Sequence, residues 1–167
     1  MNLGAHMSIA GGVHLALKRG KSIGCNAVQL FVKSSSQWRA KELTAAEIDL
    51  FHEESSSFTP GFVIAHTSYL INIASPDAAL LGKSAEALLV ELRRCAVLGI
   101  PYLVLHPGSH RGAGIDRGIE TVAATINRLY DETAGDSTAI LLEITAGAGN
   151  TICLLYTSPS PRDRTRS

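Results

Sequence analysis

Short apolar runs alternate along the chain with longer stretches in which apolar residues recur every three to four positions. Asn2-Leu3-Gly4-Ala5-His6 reads as a first strand, and Gly11-Gly12 makes the turn after it. Residues 13–23 then carry helical spacing, with Gly24 placed to end the helix. Residues 27–32 form a second apolar run, followed by a polar loop over 33–39 that holds the sole tryptophan, Trp38. Thr44-Ala45-Ala46-Glu47 has the form of a capping box and opens a helix to about residue 56. Residues 62–66 read as a third strand and 67–72 as its loop. Ser75-Pro76-Asp77 then starts a helix with proline at its first position, stopped by Gly99. Its apolar stripe is Ala85, Leu88, Leu89, Leu92, Cys95 and Ala96. The run 101–106 is too short for a helix and is broken at once by Pro107-Gly108, so it is a fourth strand ending on His106. Residues 116–133 form the next helix, with Ile119, Val122, Ala123, Ile126 and Leu129 on one face. Residues 139–143 are a fifth strand ending on Glu143.

Strand followed by helix, repeated at regular intervals, predicts parallel strands joined by right-handed crossovers. The fold class is α/β: a partial TIM (β/α)8 barrel with about five of its eight strand–helix units. A complete barrel takes roughly 250 residues, and this chain has 167. Periodicity fails after Leu155, in a run rich in Ser, Pro and Arg. That run resembles the translation of a sequencing adapter. We therefore read 1–152 as a truncated barrel domain and 153–167 as a non-native, disordered tail, and exclude the tail from functional argument. The other reading of the tail is a basic arm that touches phosphates.

Hydrophobic residues make up 46% of the chain and charged residues 18%, which suits a packed core. With 15 basic and 15 acidic residues there is no overall field to draw a nucleic acid or a membrane, although a local patch can coexist with a neutral total. Cys25, Cys95 and Cys153 are scattered without metal or redox spacing and suit a reducing cytoplasm. The N-terminus lacks the pattern of a signal peptide, and no stretch approaches a membrane span.

His66, His106 and Glu143 stand at three consecutive strand tips, one strand–helix unit apart. In parallel strands of one barrel such tips are neighbours on one face, the face on which barrels of this type place their chemistry. Two imidazoles and a carboxylate are a zinc-type donor set that leaves a position for water or substrate. Zinc held there would polarise a phosphoryl oxygen. Spacing alone fits equally well three unrelated polar residues capping strand ends. His6, at the first tip, reads as a further ligand or as a hydrogen-bond partner behind the ligands. His52 reads as an exposed helix residue and His110 as a solvated loop residue. Gly108, Gly147 and Gly149 allow tight turns after strands, and Gly147-Ala148-Gly149 is a weak phosphate-loop signal.

Several segments together are specific: Gly4-Ala5-His6-Met7-Ser8 with Gly11-Gly12, Gln37-Trp38-Arg39, His66-Thr67-Ser68-Tyr69-Leu70-Ile71-Asn72, Leu105-His106-Pro107-Gly108-Ser109-His110, and Glu143-Ile144-Thr145-Ala146-Gly147. In order and spacing, residues 1–152 resemble the endonuclease IV family, zinc-dependent enzymes that cut DNA at abasic sites. The resemblance implies a TIM-type barrel with three zinc ions. It implies hydrolysis of the phosphodiester 5′ to the abasic sugar in DNA base-excision repair. His66 and His106 would bind the first zinc, and Glu143 would be the catalytic carboxylate bridging the first and second. Tyr69 and Leu70 match a loop that enters the minor groove, where an aromatic and an aliphatic wedge unstack bases. Gln37, Trp38 and Arg39 match a second DNA-binding loop. The chain departs from the pattern at Ser36, where members often carry an inserting Arg, and at Ile144, where many carry Asn. The implied partner is double-stranded DNA containing abasic sites, bound by a cytoplasmic monomer, with no membrane partner. The remaining zinc ligands of the family lie on strands six to eight. The expectation is therefore one nominally complete zinc site, no cleavage by this polypeptide, and unpaired edges on strands one and five. The rivals are a metal-dependent sugar isomerase or epimerase of the same barrel superfamily and a non-catalytic DNA- or metal-binding half-barrel.

Overall fold

The apolar runs are strands and the periodic stretches helices in the computed structural model, which describes residues 1–134, 136–145 and 149–152. In chain order the elements are β1 (Gly4–Met7), α1 (Val13–Ser22), β2 (Ala27–Phe31), α2 (Ala45–Ser55), β3 (Val63–His66), α3 (Ala78–Val97), β4 (Tyr102–Leu105), α4 (Ile115–Glu132) and β5 (Ala139–Leu142). The tail from residue 153 and the Gly147-Ala148 part of the glycine-rich turn lie outside the described residues.

The strands form one parallel sheet in sequential order, β1-β2-β3-β4-β5, with β1 and β5 outermost. Sequential order with right-handed crossovers puts every helix on the same side of the sheet, which curls the sheet as a barrel wall does. Alternate residues of the strands divide the labour. Val28, Leu30, Val63, Ala65, Leu103 and Leu105 are buried in one core cluster with Leu17 of α1, Phe51 of α2, Leu88 and Leu92 of α3 and Leu129 of α4. The intervening positions align His6 with Gln29 and Ile64, then Phe31 with His66 and Val104, on the face away from the helices.

Two features of the helices differ from the periodicity reading. Asp77 is the N-cap of α3, accepting from the Leu80 amide at 2.7 Å, so Pro76 lies before the cap and not at the first helical position. A carboxylate that satisfies an orphan N–H takes the cap wherever the local backbone allows it. In α4 the buried positions are Gly118, Val122, Thr125 and Leu129, whereas Ile119 and Ala123 are exposed. The helix docks through its smallest residue: a Cβ on Gly118 would lie 2.8 Å from Ile152 Cδ1 and 2.9 Å from His110 Cβ. The capping box at α2 forms as the sequence implies, with Thr44 Oγ1 accepting from the Glu47 amide at 3.2 Å and Glu47 Oε2 accepting from the Thr44 amide at 2.8 Å.

Candidate metal centre and rim loops

β3 ends on His66, and the residues just past β4 and β5 are His106 and Glu143. The Glu143 amide donates to the Leu105 carbonyl at 2.9 Å, which carries the strand ladder one step further and brings the three side chains to one end of the sheet. Glu143 Oε2 lies 3.1 Å from His66 Nε2 and 3.4 Å from His106 Nε2. One ligand atom from each residue falls within 4.8 Å of the others, and among the described residues this is the group so arranged. Donor atoms at ~2.0–2.1 Å around a tetrahedral zinc sit roughly 3.3 Å apart, so both contacts to the carboxylate have the right span.

The hydrogen bonding adds a chemical argument. His66 Nδ1 is 2.7 Å from the Thr67 carbonyl, which can only accept, so Nδ1 carries the proton. In the neutral ring Nε2 then turns a lone pair toward the carboxylate oxygen. Two acceptors facing each other at that distance call for a cation between them, either a proton or a metal ion. His66 is almost sealed, at 5% side-chain exposure, whereas His106 and Glu143 are exposed at 39% and 43%. His66 is thus the enclosed member of the trio, and His106 and Glu143 lie toward β5, an outer strand among the described residues.

Rings surround it. Tyr69 lies 5.5 Å from His66, 5.8 Å from His106 and 5.4 Å from Phe31, between ring centroids. His6 stacks at 4.5 Å on Phe31, is 6.3 Å from His66, and pairs with Gln29 Oε1 at 2.9 Å. It stands beside the trio rather than within it. Tyr69 and Leu70 occupy the centre of a turn closed by the Ile71 amide on the Ser68 carbonyl at 3.3 Å. The turn's corners, Ser68 and Ile71, are buried, while Tyr69 is 67% exposed. Leu70 lines a cavity of about 430 Å³ with His106, Gly108, Ser109 and Arg111. Gln37 and Arg39 are exposed on the neighbouring loop, and Trp38 is half-buried against the core.

Several residues that hold this rim were not singled out in the sequence. Lys33 and Glu91 form a buried ion pair at 3.3 Å beneath both loops. Arg94 donates to the Val32 carbonyl at 2.6 Å and the Lys41 carbonyl at 2.8 Å. The Asn72 amide ties its own loop to Ser109, accepting from its N–H at 2.9 Å and donating to its carbonyl at 3.0 Å. His110 lies half-buried in its loop and is tied to the next helix, its Nδ1 accepting from the Gly114 amide at 3.2 Å at the start of α4. His52, although exposed, donates from Nε2 to the Val97 carbonyl at 3.0 Å and joins α2 to α3.

Residues 17–160 match the model of the xylose isomerase-like TIM barrel family. The chain belongs to this family. Within it, the chain is 49% identical over 149 residues to the probable endonuclease 4 of Chloroflexus aggregans, covering 89% of this chain and 52% of that protein. It is 44% identical over 150 residues to the probable endonuclease 4 of Geobacter sulfurreducens, covering 90% and 51%. Among solved structures, endonuclease IV from Thermus thermophilus superposes with a TM-score of 0.77 at 32% identity, over 92% of this chain and 55% of that one. A D-psicose 3-epimerase superposes at 0.64 with 12% identity, covering 92% and 55%, a likeness of fold alone. The chain spans about half the length of the curated relatives it matches. The endonuclease IV resemblance carried by the motifs is thus met again in family members and in a solved neighbour. Among the described residues, no helix is long and apolar enough to cross a membrane.

Proposed function

We propose that the protein belongs to the machinery of DNA base-excision repair, as an endonuclease of the multi-zinc type acting 5′ to abasic sites in duplex DNA. The observation that carries this reading is the trio His66, His106 and Glu143 gathered beside the Tyr69-Leu70 turn, whose Tyr69 is exposed and packs its ring on both histidines. Relatives named endonuclease 4 support it. His66 and His106 would hold zinc through Nε2, with Glu143 completing the set as the catalytic carboxylate. Zinc bound there would supply positive charge to a phosphodiester oxygen. Tyr69 and Leu70 would enter the minor groove at the lesion, where an unpaired position is the least costly to open. Gln37, Trp38 and Arg39 would contact the backbone nearby, with Ser36 contributing no inserting cation. His6 would orient the centre through its packing against Phe31 and His66. We read the protein as a cytoplasmic monomer. Because the described residues hold one such ligand group, the chain by itself is expected to bind metal and abasic duplex without turnover.

The epimerase alternative needs a pocket that encloses a small sugar. Here relatives named endonuclease 4 at 49% and 44% identity, against a likeness of fold alone to the epimerase, favour the duplex reading. The test is binding of a short duplex carrying a tetrahydrofuran abasic analogue, in the presence of zinc, against the same duplex undamaged. A preference for the damaged duplex that is lost in Tyr69→Ala and His106→Ala supports the reading. Equal binding of the two duplexes refutes it.

A further inference from the structure

The two rim loops rest on a buried charge pair that the metal centre does not use. Lys33 follows β2 and Glu91 lies in the middle of α3, at 4% and 1% exposure. Lys33 Nζ, besides meeting Glu91, donates to the Gln37 carbonyl at 2.6 Å, the Ser34 carbonyl at 3.3 Å and the Ser68 hydroxyl at 3.3 Å. Both Glu91 oxygens accept from the Ser68 amide, at 3.1 and 3.3 Å. The lysine therefore grips the backbone of the loop after β2, and the glutamate grips the first corner of the Tyr69-Leu70 turn.

We propose that Lys33 and Glu91 are positioning residues, a latch that locks the loop after β2 to the loop after β3 so that Gln37–Arg39 and Tyr69–Leu70 meet a substrate as one surface. The substrate part of this rests on the duplex-binding reading; the coupling of the loops does not.

Stability gives no reason for the pair. A buried ion pair replaced by apolar residues of similar volume usually leaves a protein as stable or more so. Burial also pushes the Glu91 carboxyl above its ordinary value, in spite of the lysine and the Ser68 bonds that hold it down. What apolar packing could not supply is the set of directed bonds to Ser34, Gln37 and Ser68. Those bonds fix the course of the turn, because Ser68 is its first corner and carries the chain into Tyr69 and Leu70.

The chain carries its own reporter, since Trp38 is its single tryptophan and follows Gln37 directly. The experiment uses the full chain as wild type, as the double variant Lys33→Met/Glu91→Leu, and as Glu91→Gln. Acrylamide quenching of Trp38 reads one loop. Amide exchange at Ser68, Tyr69 and Leu70 reads the other. Cobalt absorption reports the His66/His106/Glu143 centre. In the folded double variant we expect both loops to loosen together, with exchange at the turn faster by about tenfold and abasic-duplex binding weaker by a similar factor. Cobalt binding should stay near wild type. Glu91→Gln keeps the side chain's size and removes its charge. It should raise Trp38 quenching although Glu91 reaches that loop through Lys33, and this variant decides the matter if the double variant does not fold. Wild-type quenching and exchange in these variants would overturn the latch. If wild-type protein shows no preference for the abasic duplex, the repair reading fails, and the two loop measurements still decide the coupling.

Discussion

Gly108→Ala perturbs the joint between the loop after β4 and the loop after β3, and its cost can be worked from the contacts. Gly108 has φ 104°, in the left-handed region. An added Cβ there would run into Asn72 Oδ1. That oxygen accepts from Ser109 N at 2.9 Å and from Ala74 N at 3.2 Å, and the same amide donates to the Ser109 carbonyl at 3.0 Å. The left-handed backbone costs an alanine roughly 1–2 kcal/mol. Moving the amide aside gives up as many as three hydrogen bonds, each worth about 0.5–1.5 kcal/mol net. Together these give roughly 2.5–6.5 kcal/mol, a large share of the roughly 5–15 kcal/mol that holds a typical domain folded. Asn72→Ala gives up the same bonds without the backbone strain, so it should cost about 1.5–4.5 kcal/mol. Once Asn72 is truncated, the collision with its Oδ1 is gone and Ala74 Cβ stands at an ordinary 3.4 Å, so the double variant should cost well under the sum of the singles. Urea unfolding followed by Trp38 fluorescence and far-ultraviolet circular dichroism measures all three. A Gly108→Ala penalty below about 1 kcal/mol, or strict additivity in the double variant, would refute this account of the joint.

Three further outcomes follow from the same contacts. Zinc at a hundredfold excess over its dissociation constant should stabilise the protein by about 2.7 kcal/mol, reversed by a chelator and absent in His106→Ala; thermal melts with and without metal check this, and no shift in wild type counts against the centre. Lys33→Met and Glu91→Leu should each cost roughly 3–5 kcal/mol alone but together well under the sum, the remainder being the lost bonds to the Ser34 and Gln37 carbonyls and the Ser68 amide, so additive losses in denaturant melts would contradict the energetic picture of the pair. The Thr44 amide and hydroxyl hold the Glu47 carboxyl below its ordinary value. The support it gives α2 is therefore full above the ordinary carboxylate range and is lost as pH falls through the lowered value, a loss visible in amide exchange at the start of α2 and missing in Glu47→Ala.

The strand tips were legible because each is announced locally: an apolar run ends on His66, His106 or Glu143 and a turn residue or polar loop follows. Capping at Thr44 was legible for the same reason, since donor and acceptor lie three residues apart. The rim's supports were not, because they join residues distant in sequence. Glu91 did leave a trace. It falls between Leu88, Leu92 and Cys95 of the α3 stripe, so helical geometry alone turns it inward. Its partner Lys33, across 58 positions, has no such mark. Asn72 bonds to Ser109 through a meeting of two loops that no periodicity encodes. In α4 periodicity points the large apolar residues inward, whereas close docking selects Gly118 and leaves Ile119 outside.

The supports of the rim share one property. Lys33, Glu91, Arg94 and Asn72 all seize main-chain groups, namely the carbonyls of Gln37, Val32, Lys41 and Ser109 and the amides of Ser68 and Ser109. Main-chain groups are the same whatever residue bears them. The contour of the rim is thereby separated from its chemistry. Exposed side chains such as Gln37 and Arg39 can be exchanged while the loops keep their course, whereas Trp38 and Tyr69 are also packed, against the core and the histidines respectively. A library confined to the exposed positions would vary what the surface recognises on a fixed scaffold, and the four supporting residues are the ones such a library should leave alone.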